Sequence, residues 1–208
     1  TNGTLTITNC NLDVDITADG THIGGIIGAS HSNTIIKDSK IGGDISGKTS
    51  VGGVIGSSIQ ASYEIANLSN IDSHFAISGT TSVGGIFGNF SAPNFKVEKI
   101  SLQHTVTSAD NEIKIISGEE SIGGVFGDLN ISNMTADSYL KDVHIKCPVT
   151  GSENVGGLIG KLSVISEKTI TINNCKIASI IKGETNTGGF IGLGLTACPI
   201  TFEEESSI

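Results

Sequence analysis

The sequence predicts an all-β fold: a parallel β-helix, or β-solenoid, with three short strands per turn and about six turns of roughly 30 residues. Three observations carry this. A glycine motif recurs six times, as Ile23–Gly28, Val51–Gly56, Val83–Gly88, Ile122–Gly127, Val155–Gly160 and Thr187–Gly192. A second pattern precedes it at a steady offset. Between the two, apolar and polar residues alternate with period two, and no stretch of ten or more residues shows a helical period.

The glycine motif reads [Ile/Val/Thr]-Gly-Gly, then an aliphatic residue or Phe, then [Ile/Phe]-Gly. The first glycines of successive copies lie 28, 32, 39, 33 and 32 residues apart, the spacing of a stacked repeat. A phosphate-cradling loop would need a following helix, usually opened by Lys-Ser/Thr, and none of the six glycine motifs is followed by either. The pairs Gly24-Gly25, Gly52-Gly53, Gly84-Gly85, Gly123-Gly124, Gly156-Gly157 and Gly188-Gly189 are therefore structural corners. Glycine suits a corner because it accepts positive φ and lets backbones approach closely. Val51 and Ile55 are expected on one face of the motif and Val54 on the other.

The upstream pattern appears in five windows: Ile7-Thr-Asn9-Cys10, Ile36-Lys-Asp38-Ser39, Leu68-Ser-Asn70-Ile71, Leu140-Lys-Asp142-Val143 and Ile172-Asn-Asn174-Cys175. Its Asn or Asp suits a bend, since these side chains bond nearby backbone and tolerate left-handed torsions. Nine residues on stands a small residue (Ala18, Gly47, Gly79, Gly151, Gly183), and the glycine motif follows. Each repeat thus reads as one strand ending at the Asn/Asp, one running to the small residue, and one carrying the glycine motif. In the fourth repeat Lys99 takes the bend position, and Gln103–Gly118 holds about ten extra residues, a loop of the kind in which solenoids carry binding function. The segments after each glycine motif also vary in length.

Composition narrows the function classes. The chain of 208 residues fits one domain, 1–208, and the repeat pattern at both ends leads us to expect a piece of a longer repeat protein. Its 28 glycines and few aromatics fit aliphatic strands. The formal charge is −9, and all 12 basic residues are Lys. An acidic chain without Arg is not expected to bind nucleic acid. No apolar run reaches the roughly 18 residues of a membrane span.

Candidate chemistry is sparse. Asp13, Asp15 and Asp44 form the best acidic group; Asp15 and Asp44 stand at the same place in adjacent repeats, so they are expected to stack outward as a weak calcium or ligand patch or as a solvated polar face. The five histidines do not line up, and neither Cys-x-x-Cys nor a Cys/His zinc spacing occurs. Cys10 and Cys175 share a repeat position with four turns between them. If Leu195–Phe202 is the next window, Cys198 lies above Cys175, where a disulfide is geometrically possible; inward free thiols acting as small hydrophobes are the alternative. No cofactor and no catalytic residue is indicated. Asn-x-Ser/Thr acceptors at Asn2, Asn67, Asn89, Asn130 and Asn133, where chance alone gives about three, permit glycosylation without arguing for it.

The composite window, Ile-x-Asn-Cys-x-Ile followed by Val-Gly-Gly-Leu-Ile-Gly, resembles the GLUG repeat of large cell-surface and secreted proteins. Leu140–Gly160 and Ile172–Gly192 are the nearest copies, and the likeness runs from about Leu5 to Gly192. It departs where Asn11 and Lys176, rather than an aromatic residue, follow the cysteines. The resemblance implies an exported or cell-surface β-helical stalk or adhesin-like region without catalytic residues of its own. The expected function is a non-enzymatic spacer and binding surface whose partner is a protein or glycan at the cell surface, or neighbouring copies of the chain. The alternatives are a polysaccharide-active β-helix enzyme and a filament component stacking end to end.

Overall fold

The computed structural model describes residues 3–103 and 116–203, with residues 71–74 described by their backbone only. The described residues contain strands and no helix, arranged as a β-solenoid of three parallel sheets. The second sheet stacks Thr21–Gly24, Thr49–Gly52, Thr81–Gly84, Glu120–Gly123, Glu153–Gly156 and Thr185–Gly188. The third stacks Ile27–Ser30, Ile55–Ile59, Phe87–Ser91, Phe126–Ile131, Ile159–Val164 and Ile191–Thr196. The first sheet takes the remaining 13 strands, among them the long Asn33–Ser46 and Ser62–Ser78. Every pairing is with the neighbouring turn, so no crossover connection is needed.

Identical positions stack into ladders. Ile7, Ile36, Ile65, Val97, Leu140, Ile172 and Phe202 form one. Ile16, Ile45, Ile77, Ile116, Val149 and Ile181 form a second. Ile27, Ile55, Phe87, Phe126, Ile159 and Ile191 form a third. Apart from Phe202, which is half exposed at the last turn, these side chains fill a narrow interior in which the middle turns are buried completely. β-branched side chains dominate because they pack well on a pleated surface. In the middle turns the buried rings of Tyr63, Phe87, Phe90, Phe95 and Phe126 pack together with contacting centroids 5.0–6.0 Å apart. The Tyr63 hydroxyl, buried with its ring, donates to the Ser30 carbonyl at 2.7 Å.

The structure redraws the strand boundaries. The first two expected strands run within one sheet, bent at the Asn/Asp position. The glycine motif instead divides into two strands, with Gly53 and Val54 forming the bend between Thr49–Gly52 and Ile55–Ile59. Val54 therefore does not face away from Val51 and Ile55; all three are buried, because a bend lets consecutive residues turn inward.

The bend positions are left-handed, as Asn and Asp allow: Asn9, Asp38, Lys99, Asp142 and Asn174 have φ between 46° and 56°. The third window shifts. Asn67, with φ 54°, takes the place expected for Asn70, because Lys37 pairs with Ala66 and Ser39 with Leu68. Between Ile41/Asn70 and Gly43/Phe75 the long strand gains three residues, which absorb the difference. A second left-handed ladder, His22, Ser50, Ser82, Ser121, Asn154 and Asn186, opens each glycine motif and lies outside the sequence expectation.

Close approach, not positive φ, explains the glycine pairs. Among the described glycines only Gly43 has positive φ, at 92°. A Cβ on Gly52 would lie 2.8 Å from the Gly88 nitrogen and overlap the Ile55 carbonyl; one on Gly53 would overlap the carbonyl oxygen of Gly85, one turn on. These obstacles are backbone, which cannot step aside. Gly53→Val is therefore expected to cost more than about 3 kcal/mol of stability, read as a lower urea midpoint. Gly20→Ala, where nothing lies within 4 Å, should stay within about 0.5 kcal/mol.

Candidate functional site

At the corner between the third and first sheets the connections differ in length from turn to turn. The connection has two residues after Ser30 and after Ile59, but six (132–137) after Phe126–Ile131 and five (165–169) after Ile159–Val164. The 132–137 loop is anchored: Met134 is buried, Thr135 N–H donates to the Pro93 carbonyl at 3.2 Å, and Asn94 Nδ2 donates to Thr135 Oγ1 at 2.8 Å. Three concavities follow this corner. One of about 480 Å³ lies between Asn133, Met134, Ile165 and Lys168, and one of about 300 Å³ between Gln60, Pro93 and Ser132. The third, about 410 Å³, opens where the first sheet begins, over Asn33, Ser62, Glu64, Asn94 and Lys96. The expected variable segments after the glycine motif are thus gathered on one edge. Of the other expected binding loop, residues 104–115 lie outside the described residues.

The outer face of the first sheet beside this corner carries paired charges. Lys37 meets Glu64 at 2.6 Å across adjacent turns, and the Tyr139 hydroxyl donates to Glu98 Oε2 at 3.4 Å. Partial burial raises the Tyr139 phenol above its ordinary range, and the Glu98 and Glu64 carboxylates add to this.

Asp15 and Asp44 do stack on adjacent turns, since Ile16 pairs with Ile45, and Asp13 stands opposite Gly42. Asp15 Oδ1 accepts the Asp44 backbone N–H at 2.9 Å, which ties one carboxylate to the turn-to-turn ladder. The same device recurs where Asn33 Oδ1 accepts from Ser62 N–H at 3.0 Å and Asp137 Oδ1 from Thr169 N–H at 2.9 Å. Among the described residues no three His, Cys, Asp or Glu side chains form a metal-sized group.

The cysteines do not pair. Cys175 and Cys198 are both free. The reason is register: Ile200 pairs with Ile170, so Cys198 falls in line with residue 168, seven positions short of Cys175. Cys175 lies in the interior ladder beside Val143, as a small hydrophobe. Burial pushes the Cys147 thiol up to about 12 and the Cys175 thiol up to about 11. Among the described residues no helix is long and apolar enough to cross a membrane.

Asp128 went unremarked in the sequence, because its neighbours come from other turns. Burial raises its carboxyl above the ordinary range, with Lys161 opposing and Glu120 adding to the shift, and its Oδ1 has no hydrogen-bond partner among the described residues. No protein-family profile, no curated protein and no solved structure matches this chain.

Two predictions follow from these groups. Buried thiols with raised pKa values favour folding fully below their ordinary value of 9.0, and this contribution is lost as pH rises from there toward 12. Urea midpoints should fall above pH 9, less steeply in Cys147→Ala, and a thiol reagent at pH 8 should modify the exposed Cys10 well before the other three. Asp128, by the same linkage, favours the fold at low pH and opposes it once ionised. Asp128→Asn should gain up to about 1 kcal/mol at pH 7 and nothing at pH 3, measured by denaturant titration.

Proposed function

We propose that this chain is a non-enzymatic spacer and binding surface in an exported or cell-surface protein, in keeping with its resemblance to GLUG repeats. One observation carries the reading: concavities of about 480, 410 and 300 Å³ follow one corner of the stack, where connections of two to six residues join the third sheet to the first. Solenoids that present a partner surface vary there, because loops on one face change without disturbing the stacked interior. The rod itself suits a spacer. Its interior is continuous from turn to turn, so length is set by the number of repeats.

The groups that could carry acid–base chemistry support binding over catalysis. Asp15 holds backbone, Glu64 pairs with Lys37, and Glu98 accepts from Tyr139. Of the three concavities described, one is lined by Glu64, one by Glu167 and one by no carboxylate, whereas glycoside hydrolysis generally requires a pair.

The test uses soluble polysaccharides and a reducing-end assay. The chain should release no sugar ends from cellulose, xylan or pectin oligomers, and an Asp15→Asn/Asp44→Asn double variant should be indistinguishable from the parent. Release that disappears in the double variant would establish the enzyme reading instead.

A further inference from the structure

Resting on the binding-surface reading, we propose that the 410 Å³ groove at the start of the first sheet binds an extended, neutral polysaccharide along the solenoid axis, one sugar ring per turn. The floor is a row of outward polar side chains, Thr4, Asn33, Ser62 and Asn94, one from each of four successive turns in direct register. Parallel strands place such side chains about 4.8 Å apart. A chain of equatorially linked six-membered sugar rings advances by a closely similar distance per ring. Each ring therefore meets one outward polar side chain, hydroxyl and amide alternating along the four turns.

The row is held in place before any ligand arrives. Asn33 spends its Oδ1 on the Ser62 N–H, which leaves its Nδ2 directed by the backbone and available as a donor. Asn94 is fixed by its bond to Thr135, and that loop brings Ala136 to the groove as a wall. Rigid donors and acceptors lose little entropy on binding.

Chemistry selects the ligand class. Two lysines, Lys37 and Lys96, are offset by Glu64 and Glu98 on the same face, so a phosphorylated or strongly anionic polymer gains little there. A peptide strand cannot add to the floor, because each middle strand is already paired on both sides. Amides, hydroxyls and a balanced ion pair match the hydroxyls of a neutral sugar. Tyr139, in register with Lys96 on the next turn, adds an aromatic ring at the far end of the same face.

Titration calorimetry with hexamers and dimers of β-1,4-linked glucose, N-acetylglucosamine and xylose tests this. At least one hexamer should bind about tenfold or more tighter than its dimer, since four turns contribute. Asn33→Ala and Ser62→Val should each weaken it about threefold or more while urea midpoints confirm that both variants fold. The inference is overturned if no hexamer binds at millimolar concentration, if dimer and hexamer bind alike, or if the folded variants bind as the parent does. Those outcomes leave the spacer reading standing, whereas cleavage of any of these glycans overturns the spacer reading whatever the affinity.

Discussion

The contact on which everything else depends is backbone against backbone at the glycine corners. Gly52 lies against Gly88 of the next turn, Gly84 against Gly127, Gly123 against Gly160 and Gly156 against Gly192, each with less room than a Cβ needs. This brings the second and third sheets together without intervening side chains. The remaining interior is then narrow enough for single rows of Ile, Val and Leu to fill it.

Rigidity of the corner and freedom elsewhere are two sides of the same arrangement. Ladder hydrogen bonds join each turn to its neighbours, so an insertion can be tolerated only where it leaves the strands in register. The 132–137 and 165–169 connections meet that condition, and so do the three residues added before Phe75. The polar groove inherits its regularity from the sheet beneath it and its wall from the 132–137 loop. The stacked ladders thus stay periodic while the connections at this corner and the residues before Phe75 vary between turns.

The solenoid, its period and its glycine corners were legible in the residues, because a repeated sequence must make repeated contacts and only glycine fits where main chains touch. The left-handed bends at Asn9, Asp38, Asp142 and Asn174 were legible for the same kind of local reason. Ser50, Ser82 and Ser121 adopt the same torsion, yet Ser has no strong preference for it, so the second ladder left no clear signal.

What only the tertiary structure decided was register. Asn67 rather than Asn70 takes the bend because Leu68 is needed in the interior ladder between Ser39 and Ile100. Cys198 misses Cys175 by seven residues because Ile200 seats over Ile170, which leaves Cys198 in the connection before the strand. Val54 turns inward because the glycine pair is a bend between two sheets and not the middle of one strand. The alignment of Thr4, Asn33, Ser62 and Asn94 likewise depends on pairings between residues about thirty apart. Local sequence determined which residues can bend, stack or touch; the energy of burying each ladder whole determined which of them meet.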